Sequence, residues 1–258
     1  MFAMPSRSSA IGGFVAKVAA VGKEGGSAAV VSRASERLLA PLWVSLAARR
    51  LEQHLARATT LHERVDVVYA FRYRHLSLAP SQIRSELTRF VELVEEESPR
   101  TIVEIGTGLG GTSVLLTRAA ADDGIVVSVD LPVGPRRGRL LAAAARASQR
   151  VHCLRADSHV PATLERVRAL LRGRRVDLLF VDGDHSAEGV RADLALYRPL
   201  VRTGGWIALH DIVPGPEEFV GGVPELWQEL KEGNDARELV EDWGQGGLGI
   251  GAFRNAAS

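Results

Sequence analysis

The stretch Val176–His185, VDLLFVDGDH, constrains the fold more than any other part of the chain. Leu178 through Asp182 is apolar except for its last residue, the pattern of a strand buried on both faces that meets an acid where it ends. Gly204–Asp211, GGWIALHD, repeats the shape, and the helix-length segment between them carries Val190, Leu194 and Tyr197 on one face. Strand, helix and strand with a right-handed crossover make the two strands parallel. Asp182, Asp184, His185, His210 and Asp211 then gather along one carboxyl edge, where open α/β sheets bind ligands. A cluster of acids there calls for a cation or a proton.

The same alternation runs back through the chain. Strands are expected at Thr101–Gly106, Ile125–Asp130, Val151–Ala156, Val176–Asp182 and Gly205–His210, with helices starting near Thr112, Arg136, Pro161 and Ser186. Ahead of them, Pro80 and Ser81 open a helix whose apolar positions Ile83, Leu87, Phe90, Val91 and Val94 recur at helical spacing. After them come a helix at Pro224–Glu232 and two short strands, Glu238–Asp242 and Gly249–Arg254. Their linker is too short for a helical crossover, so those two strands should be antiparallel.

Residues 1 to about 30, rich in Ala, Gly and Ser, are expected to be poorly ordered or loosely docked. A helix with a leucine stripe is expected over Ser32–Ala58, bent or divided at Pro41. Over residues 1–60 eight basic side chains face three acidic ones, and this basic helical part is the expected contact of a homo-oligomer. Tyr69, Phe71, Tyr73 and His75 form an aromatic and basic patch suited to packing or to a substrate mouth. The division expected is a helical extension over 1–79 and a cofactor-binding domain over 80–258.

With 258 residues and a net charge of +1, the chain can bury a large core and gives no general case for nucleic acid. The single cysteine, Cys153, fits a reducing compartment, and no apolar run is long enough to span a bilayer, so a soluble cytoplasmic protein is expected.

The turn after the first strand reads Glu104-Ile105-Gly106-Thr107-Gly108-Leu109-Gly110-Gly111-Thr112. Its glycines permit close approach of a ligand to backbone. Taken alone the loop also satisfies the dinucleotide fingerprint, so an NAD-dependent oxidoreductase stands beside a methyltransferase as a reading. Glu104 discriminates: a carboxylate inside a central strand needs a cation, and S-adenosylmethionine carries an ammonium where NAD has none. Gly106, Thr107, Gly108, Gly110, Thr112 and Asp182 are the further expected cofactor contacts. Asp130 is placed to accept from the ribose hydroxyls, and Asp157 with Ser158 to meet the adenine edge. For each acid the alternative is a cap or a solvated loop residue.

The motifs VEIGTGLGGTS, VSVD, RADSH, LLFVDGDHSAEGVRADLALYRPLVRTGGWIALHDI and GVPELWQELKE resemble the class I S-adenosylmethionine-dependent methyltransferases. The nearest resemblance is to cephalosporin-hydroxylase-like and macrolide- or rhamnose-modifying sugar O-methyltransferases, over residues 80–255. It implies a Rossmann-like, doubly wound α/β sheet of seven strands, mostly parallel with the last strand antiparallel, and O-methylation of a small-molecule or sugar hydroxyl. It also implies a divalent metal, Mg²⁺ or Mn²⁺, on Asp182, His210 and Asp211. An imidazole at position 210 departs from the all-oxygen pattern and suits Mn²⁺ or Fe²⁺ better than Mg²⁺. Asp184 or His185 would serve as general base, with His185 alternatively orienting Asp184 and His210 alternatively a metal-free base. His152 and His159 are read as surface or packing residues, Trp206 and Trp227 as core, Trp243 as shaping or closing the pocket, and Arg155 and Arg191 as able to guide an anionic substrate. A cofactor-binding accessory protein without catalysis is the reading from outside enzymology.

Overall fold

The computed structural model describes the backbone of residues 27–256 and the side chains of residues 41–256, so the expectation for the first 30 residues falls almost wholly outside the described part. The chain divides into two compact units between Trp43 and Val44, and the unit from Val44 onward carries the sheet. Helix α1, Ser27–Arg57, runs on through Pro41 as one helix instead of dividing there. Within the larger unit it buries Val44, Ala47, Leu51 and Leu55, a stripe at helical spacing.

Helix α2 (Leu61–Ala70) begins with a capping box in which Thr60 and Glu63 satisfy each other's backbone N–H groups. A two-residue hairpin, β1 (Arg72–Tyr73) and β2 (Leu76–Ser77), follows. Helix α3 spans Arg84–Glu97. It starts later than Pro80 and Ser81 suggest, because the Gln82 backbone carbonyl accepts from Tyr69 Oη at 2.8 Å and Ile83 is extended.

From β3 (Thr101–Ile105) the alternation is regular: α4 (Gly111–Ala119), β4 (Ile125–Asp130), α5 (Pro135–Ala142), β5 (Arg150–Arg155), α6 (Pro161–Leu171), β6 (Val176–Val181), α7 (Ala187–Tyr197) and β7 (Val201–His210). After β7 come the one-turn α8 (Glu217–Val220), then α9 (Val223–Lys231), β8 (Ala236–Leu239) and β9 (Ile250–Arg254). The seven-stranded sheet runs β5-β4-β3-β6-β7-β9-β8. β9 is antiparallel to both neighbours, as the short linker required, and the other strand pairs are parallel. β8 ends at Leu239, short of the expected Asp242, because Glu241 N–H is drawn off to the Glu86 side chain.

Alternation along the strands sorts the two layers. Val103, Ile105, Val127, Val129, Leu179, Val181, Ile207 and Leu209 face α6, α7 and α9 in one core. Glu104, Ser128 and Phe180 point to the opposite face, where Phe90 of α3 lies 5.2 Å from Phe180, ring to ring. Trp206 and Trp227 are buried, in keeping with a core role. The strand order reverses between β3 and β6, which places the ligand crevice beside Gly106 and Asp182. Among the described residues no helix is long and apolar enough to cross a membrane.

Candidate active site

At that switch point lies a cleft of about 310 Å³. One wall is the loop from Gly106 to Thr112. The other carries Asp182, His185, His210 and Asp211, with Ala79–Gln82, Phe219 and Leu248 at the mouth. The loop is tight because β3 and β6 run side by side: a Cβ on Gly106 would lie 1.9 Å from the Asp182 carbonyl oxygen, and its φ of +88° is left-handed. Only glycine fits there.

Glu104 is wholly buried below this loop. Oε2 accepts from Ser128 at 2.7 Å and from Ser113, while Oε1 has no partner. Burial pushes its pKa up to about 7 against the opposing pull of the two hydroxyls. A buried, half-satisfied carboxylate beside a glycine loop is the arrangement an ammonium-bearing cofactor would relieve. Asp130, at the end of β4, accepts the amides of Thr107 and Gly108 at 3.0 and 2.8 Å through Oδ2 and so braces the loop. Burial raises its pKa and those amides oppose the rise.

The acidic side is held together by imidazoles. His210, 4% exposed, has Nδ1 3.1 Å from Asp182 Oδ1 and 3.2 Å from Asp211 Oδ2. Burial opposes a charge on this ring, but Asp182 and then Asp211 outweigh it and hold the pKa up to about 10. Asp211 shows the other half of the exchange: burial would raise it, and His210 and His185 bring it below the usual range. Its backbone sits at φ +63°, uncommon for a residue with a Cβ.

His185 has Nδ1 bonded to the Phe219 carbonyl and 3.3 Å from Asp211 Oδ2, with Nε2 3.8 Å from Asp182 Oδ1. A carbonyl only accepts, so Nδ1 carries a proton, and in the neutral ring Nε2 is the nitrogen with the free lone pair. Among the described residues Asp182, His185 and Asp211 form a group whose ligand atoms lie within 4.8 Å of one another.

The cleft therefore brings together Gly106, Thr107, Gly108, Gly110, Thr112, Asp182, His185, His210 and Asp211. Asp184 is not among its lining residues. Its Oδ1 accepts from Ser186 N at 2.9 Å and the carboxylate leans over Gly189, as a cap of α7 does. Asp157 likewise turns back to the His159 amide at 2.9 Å, and the Ser158 carbonyl accepts from Tyr197 Oη. His159 is no simple surface residue, since Nε2 lies 3.3 Å from the buried Asp193. Arg191 is paired with Glu229, Arg155 Nε donates to the Leu131 carbonyl, and neither lines the cleft; nor does the exposed Trp243.

Two polar residues that sequence pattern alone passes over belong to the site. Gln82 lines the cleft and donates to Asp182 Oδ2 at 2.8 Å. Glu86, wholly buried, accepts from Glu241 N, Gln245 Nε2 and Gly249 N at 2.8, 2.9 and 3.0 Å, and so fixes the loop bearing Leu248. A charged residue between Ile83, Leu87 and Phe90 on an apolar face was the available signal.

Residues 103–212 match a family model described as a methyltransferase domain. The rhamnosyl O-methyltransferase of Mycobacterium tuberculosis H37Rv is 28% identical over 176 residues, which are 62% of this chain and 69% of that protein. Among solved structures, a cofactor-bound protein from MTB, Rv0187, aligns with a TM-score of 0.53 at 19% identity, covering 77% of this chain and 88% of that one. An O-methyltransferase from Bacillus cereus, solved with SAH, aligns at 0.51 and 18% identity over 83% and 99% of the two chains. The methyltransferase MycE of the mycinamycin biosynthetic pathway aligns at 0.51 and 17% over 77% and 55%.

Identities this low establish the fold. Residues 103–212 carry the methyltransferase domain of the matching family model, on the fold that these structures share. The proteins it is similar to include O-methyltransferases.

Proposed function

We propose that the protein transfers the methyl group of S-adenosylmethionine to a hydroxyl of a sugar or another small molecule, assisted by a divalent cation. The observation that carries the reading is the Asp182–His185–Asp211 group, set across the cleft from the glycine loop. Two of the similar proteins support the acceptor class: one is named for rhamnosyl methylation, and MycE was solved with Mg, SAH and mycinamycin VI.

Asp182, Asp211 and the Nε2 lone pair of His185 fit a divalent cation, and a donor set containing imidazole suits Mn²⁺ or Fe²⁺ at least as well as Mg²⁺. His185 takes the ligand position for which the sequence put forward His210, because His210 Nδ1 is already engaged with both carboxylates. When bound, such a cation lowers the pKa of the acceptor hydroxyl. The chain's own part is to fix the geometry. Asp211 and the Phe219 carbonyl hold the His185 ring, the glycine loop and Thr112 frame the cofactor, and Glu104 receives the ammonium.

A second reading needs no metal. There His185 Nε2 takes the hydroxyl proton and Asp211 steadies the resulting imidazolium, as in other carboxylate–imidazole pairs. The observation that favours it is the placement of His210 Nδ1, 3.1 and 3.2 Å from Asp182 and Asp211, where a protonated ring compensates part of the acidic pair. In both readings Asp184 shapes the start of α7 and takes no proton.

The test is label transfer from tritiated S-adenosylmethionine to a panel of glycosides and vicinal diols, with EDTA-treated protein and with Mn²⁺ or Mg²⁺ restored. Turnover that needs added metal supports the first reading, and EDTA-resistant turnover selects the second. No transfer to any acceptor while S-adenosylhomocysteine binds would leave a cofactor-binding accessory protein.

A further inference from the structure

Gln82 precedes α3, and three separate parts of the chain converge on it. Its side-chain Nε2 donates to Asp182 Oδ2 at 2.8 Å, its Oε1 accepts from Thr112 Oγ1 at 3.2 Å, and its backbone carbonyl accepts from Tyr69 Oη at 2.8 Å. It is 8% exposed. The amide has only one workable orientation: a carboxylate presents acceptors alone, so the nitrogen must face Asp182 and the oxygen must face the Thr112 hydroxyl. Reversal would set oxygen against oxygen.

This contact divides the labour of the Asp182 carboxylate. Oδ2 is occupied by the Gln82 amide, while Oδ1 faces His210 Nδ1 at 3.1 Å and His185 Nε2 at 3.8 Å. The terminal torsion of an aspartate is broad, and no steep well of its own would keep Oδ1 on that side. Gln82 is in turn fixed from the cofactor loop through Thr112 and from α2 through Tyr69.

We propose that Gln82 is a positioning residue that locks the Asp182 carboxylate with Oδ1 toward the two imidazoles, tying its orientation to the cofactor loop. The inference rests on Asp182 acting at the reaction centre under the function proposed for the cleft. It also accounts for Tyr69 at the end of α2, which anchors the residue that aims the carboxylate.

The test uses the full chain and two near-isosteric variants, Gln82→Met, which keeps the shape and lacks the donor, and Gln82→Glu, which keeps the Thr112 contact and sets an acid against Asp182. Crystal structures with S-adenosylhomocysteine should show Asp182 rotated, with the 3.1 Å contact from His210 Nδ1 to Oδ1 opened beyond hydrogen-bonding range. Label transfer to whichever glycoside or diol is turned over should fall about tenfold or more in kcat, the scale expected when a reacting geometry slips. The S-adenosylhomocysteine Kd should change by a smaller factor than kcat, because Gln82 meets the cofactor loop only through the Thr112 hydroxyl. The reversed pair Gln82→Glu with Asp182→Asn should regain the Tm lost in Gln82→Glu, since the amide then donates the other way. An Asp182 that stays in place in Gln82→Met, or a lowered Tm with unchanged kcat, overturns the proposal. Asp182→Ala separates the two failures: wild-type turnover in that variant removes the site reading itself, whereas an inactive Asp182→Ala beside a fully active Gln82→Met removes only the role of Gln82.

Discussion

Glu104 offers the sharpest measurement, because one buried carboxyl links folding, cofactor binding and pH. Its pKa in the folded chain is pushed up to about 7 by burial, from an ordinary value of 4.5. The folded state therefore binds a proton that the unfolded state has released across that interval. Stability from this group is complete below pH 4.5 and is lost as pH rises through 7. A rise of that size corresponds to roughly 3 kcal/mol, and the carboxyl is fully buried, so solvent screening takes little from it. Glu104→Gln keeps an acceptor for Ser113 and Ser128 and cannot ionise. Urea unfolding of cofactor-free protein, repeated from pH 5 to pH 8, should show wild type losing about 2–4 kcal/mol relative to Glu104→Gln over that range. Subtracting the variant removes the titration of His210, which the substitution leaves in place. The cofactor should reverse the sign. An ammonium favours ionised Glu104, so the wild-type affinity for S-adenosylhomocysteine should tighten by about tenfold between pH 6 and pH 8 and level off above. Parallel stability curves for wild type and Glu104→Gln, or a pH-independent affinity, would refute both the burial argument and the placement of the ammonium.

Three further outcomes rest on the same geometry. Gly106→Ala meets the Asp182 carbonyl at 1.9 Å and forces a left-handed φ on a residue with a Cβ, a cost of about 2–5 kcal/mol that unfolding curves should show together with weakened cofactor binding by calorimetry. Glu86→Gln turns an amide donor toward Gly249 N–H or toward the other two donors, so the Tm should fall by roughly 4–8 °C for a loss of about 2 kcal/mol, and the acceptor KM should rise as the Leu248 loop loosens. Asp184→Asn retains an acceptor for the Ser186 amide and should leave label transfer within about threefold, whereas His185→Ala should abolish it; the opposite ranking would return the base to Asp184.

The sheet was readable because buried parallel strands leave a distinct trace: continuous apolar runs that stop at an acid. Val176–Val181 and Ile125–Asp130 fall within a residue of where that trace puts them. Chain connectivity then decided more than composition, since the short linker before β9 settled its direction. Pattern fails where a polar side chain reaches across to another element. β8 stops early for the sake of Glu86, and α3 starts late where Gln82 turns into the cleft, and neither event leaves a periodicity.

The same limit separated the site residues. Position along a strand end brought Asp182, His210 and Asp211 to one rim, but which oxygen or nitrogen meets which is a matter of side-chain direction. Asp184 and His185 are neighbours in sequence, yet the chain turns between them, sending one side chain to the start of α7 and the other into the cleft. His185 is held there by a segment 34 residues further on, through the Phe219 carbonyl, with Gly221 so close that a Cβ would lie 2.0 Å from the His185 carbonyl. The His185 imidazole and the exposed Phe219 beside it thus belong to one stitched unit. A change in the α8 segment that alters acceptor preference should therefore also alter the rate, because the wall that meets the acceptor and the prop that sets the His185 tautomer are the same few residues.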